Sequence, residues 1–357
     1  MFLLKIYCKF EKILSMIKRL FFFVVNLSIM MSFSINFYAQ DIHFSQFFAS
    51  PLSLNPAETG RFNATGRFTN NYRTQWNALG NPFKTISVGI DAPFNINEFS
   101  KIGAGAFIVN DRSGGSKLTV TKIFASVAYM MTIDKKHEIS IGLQPGYVMK
   151  DFTQKGLSFP TQFNEETGLF DPDYNISSVK DNNEKLGYFD LNFGVFYSYN
   201  ASKLKPYGSV ALFHLNMPQE SFSEKKESKL GIRTAVNGGL YWTFAKNFEL
   251  NPSVFVMYNK KVSDWLIGTL VNYYFPDKIF IRKIYAGAFT RYSFENFDSA
   301  IVTAGATIWD FDLGISYDLN LSRLTKATKL RGAFEVSLIY KFYRVKSQKI
   351  TIPCDRY

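Results

Sequence analysis

Histidine, cysteine and tryptophan are scarce in this 357-residue chain, at three, two and four residues. His43, His137 and His214 lie far apart in sequence, whereas a zinc site wants several His or Cys ligands at close spacing. Cys8 falls in an N-terminal stretch that reads as removable, so Cys354 is left alone and an internal disulfide is excluded. Charged residues make up 20% of the chain and mean hydropathy is −0.06, which excludes a bundle of membrane helices. Phosphate-binding glycine loops are missing too. Gly103 and Gly105 form a Gly-x-Gly inside a strand-like segment with no helix after it, which points to close packing or strand bending. Neither a Ser-His-Asp set nor a catalytic carboxylate pair can be assembled, so the chain reads as no enzyme, without cofactor or metal. The net charge is +12, or +8 without residues 1–39, and in that remainder it is spread through loops with no basic stripe or binding module, which argues against nucleic acid. Glu165, Glu166, Asp171, Asp173, Asp181 and Glu184 crowd one loop. They lack the Asp-x-Asp-x-Asp-Gly spacing of a calcium loop and read as a solvated acidic face.

What the chain does have is aromatic residues, 17% of the total with 37 Phe and 20 Tyr, set in strict alternation. The pattern is clearest at Phe189, Leu191, Phe193, Val195 and Tyr197, which share one side against Asp190, Asn192, Gly194 and Ser198. Such a strand must meet two different environments. The pattern recurs in fourteen segments, near 62–75, 84–92, 101–110, 118–132, 138–150, 188–199, 206–215, 232–244, 248–258, 265–275, 284–293, 300–309, 311–319 and 332–342. A soluble sandwich of this length would need a very large core. An outer-membrane barrel instead turns its apolar face to lipid, and an even strand count suits it. The expectation is therefore an all-β transmembrane antiparallel barrel of about 14 strands.

Residues 16–39 carry Lys18 and Arg19, an apolar stretch and a small residue at Ala39, the pattern of a signal peptide cleaved before Gln40. Losing Lys5, Lys9, Lys12, Lys18, Arg19 and Glu11 leaves 36 basic and 28 acidic residues. Residues 40–61, with Pro51 and Pro56, form a periplasmic lead-in or a plug, since barrels of this size leave interior space. Residues 62–342 form the barrel and 343–357 a basic periplasmic tail. With the mature N-terminus in the periplasm, connections after odd-numbered strands face outside and include the long ones, 151–187, 216–231 and 320–331. Those after even strands are mostly short, as periplasmic turns are.

Three stretches are similar to one family. The first is Gln40-Asp41-Ile42-His43-Phe44-Ser45-Gln46-Phe47-Phe48, continuing through Asn55-Pro56-Ala57 and Thr59-Gly60 to Asn71-Tyr72-Arg73-Thr74-Gln75-Trp76. The second joins Leu157-Ser158-Phe159, Phe170-Asp171-Pro172 and His214-Leu215. The third runs from Ile315 to Asn320, resumes at Gly332 to Leu338 and ends in Pro353-Cys354-Asp355-Arg356-Tyr357, where the family usually has Pro-Cys-Pro-Arg-Phe. The whole mature chain resembles the PorP/SprF outer-membrane proteins of type IX secretion and gliding. That resemblance implies a location in the outer membrane and type IX secretion components and membrane lipid as partners. It also implies a secreted surface adhesin, or its C-terminal domain, as cargo. The motif residues His43, Phe44, Gln46, Phe47, Asn55, Pro56, Tyr72, Arg73, Trp76, Pro353, Cys354, Arg356 and Tyr357 are the candidate partner contacts. Two alternatives stay open: a passive porin or small-molecule transporter whose lumen residues Asp190, Asn192, Glu335 and Lys341 set solute preference, and a structural subunit of the core machinery.

Overall fold

A computed structural model describes residues 43–77, 81–114, 118–134, 136–153, 163–164, 169–170, 183–221, 228–259, 262–276, 280–293, 296–322 and 325–343. The expected leader, the Pro353–Tyr357 motif and most of the acidic loop lie outside them. The strands, in chain order, are β1 (Gly66–Gln75), β2 (Phe83–Asn95), β3 (Ser100–Arg112), β4 (Thr119–Ile133), β5 (His137–Thr153), β6 (Phe163–Asn164), β7 (Leu169–Phe170), β8 (Asn183–Tyr199), β9 (Leu204–Phe213), β10 (Arg233–Ala245), β11 (Phe248–Asn259), β12 (Val262–Tyr274), β13 (Ile281–Ser293), β14 (Asn296–Ile308), β15 (Phe311–Asn320) and β16 (Arg331–Phe342). Strands β6 and β7 pair only with each other, inside the connection between β5 and β8.

The other fourteen close into one antiparallel barrel in which each strand pairs with its chain neighbours and β1 meets β16. They correspond one for one to the fourteen alternating segments. The first begins at Gly66 rather than near residue 62, and Phe62 packs on the Arg67 guanidinium. Closure removes both sheet edges, the physical requirement for a strand structure in lipid. Gly66 is opposite Phe342 at the seam, and a Cβ there would lie 2.0 Å from the Phe342 ring, so the ring folds over the bare backbone of its partner.

The alternation resolves into two surfaces. On β2, Ile86, Val88 and Ile90 point outward and are exposed, while Thr85, Ser87 and Asp91 point inward and are buried. Phe189 and Tyr197 of β8 are likewise outward, against buried Asp190, Asn192 and Ser198. At the short-turn end, Trp242, Phe244, Phe248, Tyr273 and Phe275 form a continuous chain of ring contacts. An aromatic girdle of this kind marks a membrane interface.

The lumen departs from the expected polar interior. Across β9 to β14 its wall is apolar, with Phe213, Phe255, Leu266, Phe289 and Ile301 buried against one another. A wholly polar interior serves a wet lumen, but this one is packed, and the apolar wall needs an apolar partner. Val127, in the middle of β4 and 53% exposed, tests the outward assignment. Replacing it with arginine should cost about 2–4 kcal/mol in urea titrations of the barrel folded into lipid vesicles. Lys185→Arg, near the loop end of β8, should leave the midpoint unchanged.

Candidate functional site

Residues 43–61 lie in the lumen and supply that partner. Three short turns shape them: Phe47–Ala49 and Pro56–Glu58 in 3-10 geometry and Pro51–Leu54 in α geometry. Proline suits the start of such turns because its missing N–H would have no helical acceptor there. Asn55 caps the last turn by accepting a hydrogen bond from the Ala57 N–H at 2.8 Å.

The segment is held in three ways. On the apolar side, Phe47 stacks on Phe255 at 5.3 Å and meets Phe289 edge-on at 5.8 Å, while Phe48, itself edge-on to Phe47, stacks on Phe289. On the side of β3, β5 and β8, the wall is shaved down to glycine. A Cβ on Gly194 would stand 1.9 Å from Asn55 Oδ1, one on Gly142 2.3 Å from the Pro56 carbonyl carbon, and one on Gly103 1.9 Å from the Thr59 carbonyl oxygen. Gly60, at φ +71°, presses its Cα against Gly103 and needs both the left-handed backbone and the missing side chain. Into these recesses the backbone settles closely enough to bond directly to the barrel. Asn55 Nδ2 donates to the Val195 and Val210 carbonyls at 3.2 Å each, and the Gly60 N–H donates to Asp91 at 2.7 Å. Ser140 and Gln144 of β5 donate to the carbonyls of Ala57 and Leu52.

The third attachment is ionic and fully buried. Glu335 of β16 accepts the backbone N–H groups of Ser45 and Gln46 at 2.7 and 2.9 Å, one on each carboxylate oxygen. Arg73 of β1 pairs with the same carboxylate and with Asp318 of β15, the latter at 3.1 Å. Arg291 of β13 reaches Asp318 at 3.0 Å. The Ser45 hydroxyl sits at the centre, donating to Asp318 and accepting from Arg73 and Arg291. Two carboxylates and two guanidiniums compensate each other's charge, which makes this burial tolerable, and Ser45 ties the segment to all four.

At the turn end, Arg61 lies between Glu58 at 3.4 Å and Glu138 at 2.7 Å, with its guanidinium 3.5 Å from the centre of the Phe196 ring. Burial alone would lower its pKa, but the two carboxylates outweigh burial and hold it above the ordinary arginine value. A cavity of about 280 Å³ remains beside it, with Lys101, Met130 and Glu138 in its wall.

The candidate contact residues therefore separate by position. Phe44, Gln46, Phe47, Asn55 and Pro56 are buried in the lumen, and His43 is half-buried beside a small cavity that Arg233 and Phe213 also line. Arg73 is in the ionic cluster. Tyr72 points outward on β1, and Trp76, at φ 57°, ends that strand edge-on to Phe83. The porin set Asp190, Asn192 and Glu335 is engaged internally. Asp190 bonds to His214 at 2.8 Å, Asn192 to Gln144 at 2.9 Å and Glu335 to the lumen segment, while Lys341 stands at the turn end near Asp312. Sequence inspection missed Asp318, Arg291 and the docking glycines Gly142 and Gly194. The only signal was their place on the inward phase of their strands.

The family model for the type IX secretion system membrane protein PorP/SprF matches residues 36–340. The chain belongs to this family. It is an outer-membrane β-barrel, with secretion machinery components as the partners its family implies. No curated protein sequence matches it. Among solved structures it is similar to the toluene transporter TodX of Pseudomonas putida, at 10% identity and TM-score 0.50 over 81% of this chain and 92% of that one. A deltaS2 mutant of the TodX monoaromatic hydrocarbon channel is similar at 9% identity and TM-score 0.50, over 83% and 94%. At such identities the likeness is one of fold.

Two substitutions test the docking. Gly103→Val should force residues 43–61 off the wall and expose them to added protease, whereas Gly208→Val, on the lipid face with its nearest neighbour 3.9 Å away, should not. Glu335→Ala leaves Arg73 and Arg291 sharing the single carboxylate of Asp318 and takes the acceptor from two backbone N–H groups, and it should destabilise the folded barrel by about 3–5 kcal/mol in the same vesicle assay.

Proposed function

We propose that this PorP/SprF barrel assists the secretion and cell-surface attachment of one large partner, an adhesin-like protein carrying a C-terminal secretion domain and serving gliding motility. It acts as a binding platform without catalysis of its own. The observation that carries this reading is the lumen. Residues 43–61 are fixed inside it by a stacked aromatic pair, glycine recesses and a four-charge cluster. A barrel stoppered so firmly is suited to holding proteins at its ends and rim, and a solute path is a poor use of it. Tyr72 and Trp76, outside the lumen, are left for partners on this reading, and the Pro353, Cys354, Arg356 and Tyr357 motif is assigned to partners by the family resemblance.

The deciding experiment is a chromosomal deletion scored by surface proteomics. One large protein with a C-terminal secretion domain should vanish from the surface while other type IX cargo remains. Loss of every cargo would transfer the protein to the core machinery, and unchanged display would overturn the reading. In planar bilayers the purified protein should be electrically closed. A variant lacking residues 43–61 should conduct, and a steady open pore in the intact protein would favour a porin.

A further inference from the structure

All seventeen residues of β8 pair with β5, but only Phe193 to Ser198 pair with β9 on the other side. Six rungs make this the shortest seam of the barrel, since every other holds nine or more. The cause is a turn in the chain after Phe213. His214 takes φ 60° and Met217 φ 42°, left-handed values that carry the backbone out of the ladder. The loop then bends inward, where Glu220 pairs with Lys150 of β5 and Leu230 packs against the apolar cluster that includes Val148 and Tyr188. What would have been the next stretch of β9 is missing from the wall.

One main-chain bond persists past the turn, from the Leu215 N–H to the Leu191 carbonyl at 2.9 Å, and a carboxamide then stands in for the missing rungs. Asn216 Nδ2 donates to the Phe189 carbonyl at 2.6 Å, and its Oδ1 accepts the Leu191 N–H at 3.1 Å. Alternate residues of a strand direct their backbone groups to the same edge, so Gly187 and Lys185 follow Phe189 and Leu191. Among the described residues no strand meets that edge beyond Phe189. The height is informative as well. Lys185 lies 3.9 Å from Asp151 on the outer face, with the two side chains 75% and 50% exposed, and just below them Phe189 and Tyr147 face outward. Charge gives way to aromatic surface here, which sets the open edge at the water boundary on the long-loop side.

We infer that the β8 edge from Lys185 to Phe189 is a docking site for an extended strand of the secreted partner, added to the barrel wall by backbone hydrogen bonds. An amide already occupies the adjoining rungs, so the position accepts peptide geometry, and the bends at His214 and Met217 hold the gap open. An acidic residue of the incoming strand opposite Lys185 fits the outer face. The inference rests on the proposed function and specifies where the partner binds.

The test is a photo-crosslinking residue at position 185 of the full-length protein in its native outer membrane, with Ser202 in a short turn as the control position. Position 185 should link to an extended segment of one secreted polypeptide, identified by mass spectrometry, and position 202 should not. Lys185→Pro removes one edge N–H without taking a β5 rung, and it should lower co-purified partner about tenfold while the heat-modifiable gel shift of the barrel persists. Should the proline variant fail to fold, the crosslink alone decides. An adduct to residues 154–182 of the same chain, or to a second copy, overturns the edge assignment. So does co-purification of the partner with no adduct at 185, and in each of these cases the proposed function stands. If no secreted polypeptide accompanies the wild-type barrel, both fall.

Discussion

Space inside the barrel is the constraint to which the other features answer. Fourteen strands enclose more volume than their own inward side chains fill, and a partly filled interior would leave apolar wall wet and buried charge unpaired. Residues 43–61 meet both needs along opposite flanks. Their aromatic residues face the apolar arc of β9 to β14, and their backbone N–H groups and Ser45 hydroxyl face the charged side of β1, β15 and β16. Each flank constrains the register of the other, because sliding the segment by one residue would bring Phe47 toward the carboxylates.

The ionic cluster also bears on closure. Arg73 belongs to the first strand and Glu335 to the last, paired directly across the seam that closes the sheet. Ser45 and Gln46 bond to Glu335, so the closing seam and the lumen segment share one set of charges. The stability of the stopper and that of the barrel are therefore coupled. Breaking the cluster from either side leaves uncompensated charge in a space closed to bulk water.

Barrel and lumen segment were not equally legible in the sequence. Strand positions could be read because alternation with period two is local: Ile86, Val88 and Ile90 declare their face without reference to any other strand. Gly142, Gly194 and Asp318 could not be read in the same way. Glycine in a strand is consistent with a bend, a bulge or a close approach, and only the presence of Asn55 and Pro56 opposite shows that the approach is real. The apolar inner wall was also hidden, since Phe255 and Phe289 add apolar residues to the inward phase and blur the alternation that an aqueous lumen would leave sharp.

By itself the sequence determined the number of strands, their inward and outward faces and, through the motifs around His43 to Trp76 and at the C-terminus, the family. These are properties of neighbouring residues, written at spacings of a few positions. Only the tertiary structure decided that the lumen is packed, that Ser45 joins four charges from four strands, and that the β8–β9 seam stops after six rungs, with no other strand among the described residues on that side of β8. Those facts depend on residues up to 290 positions apart being brought together by closure of the sheet, and no local pattern encodes such a meeting.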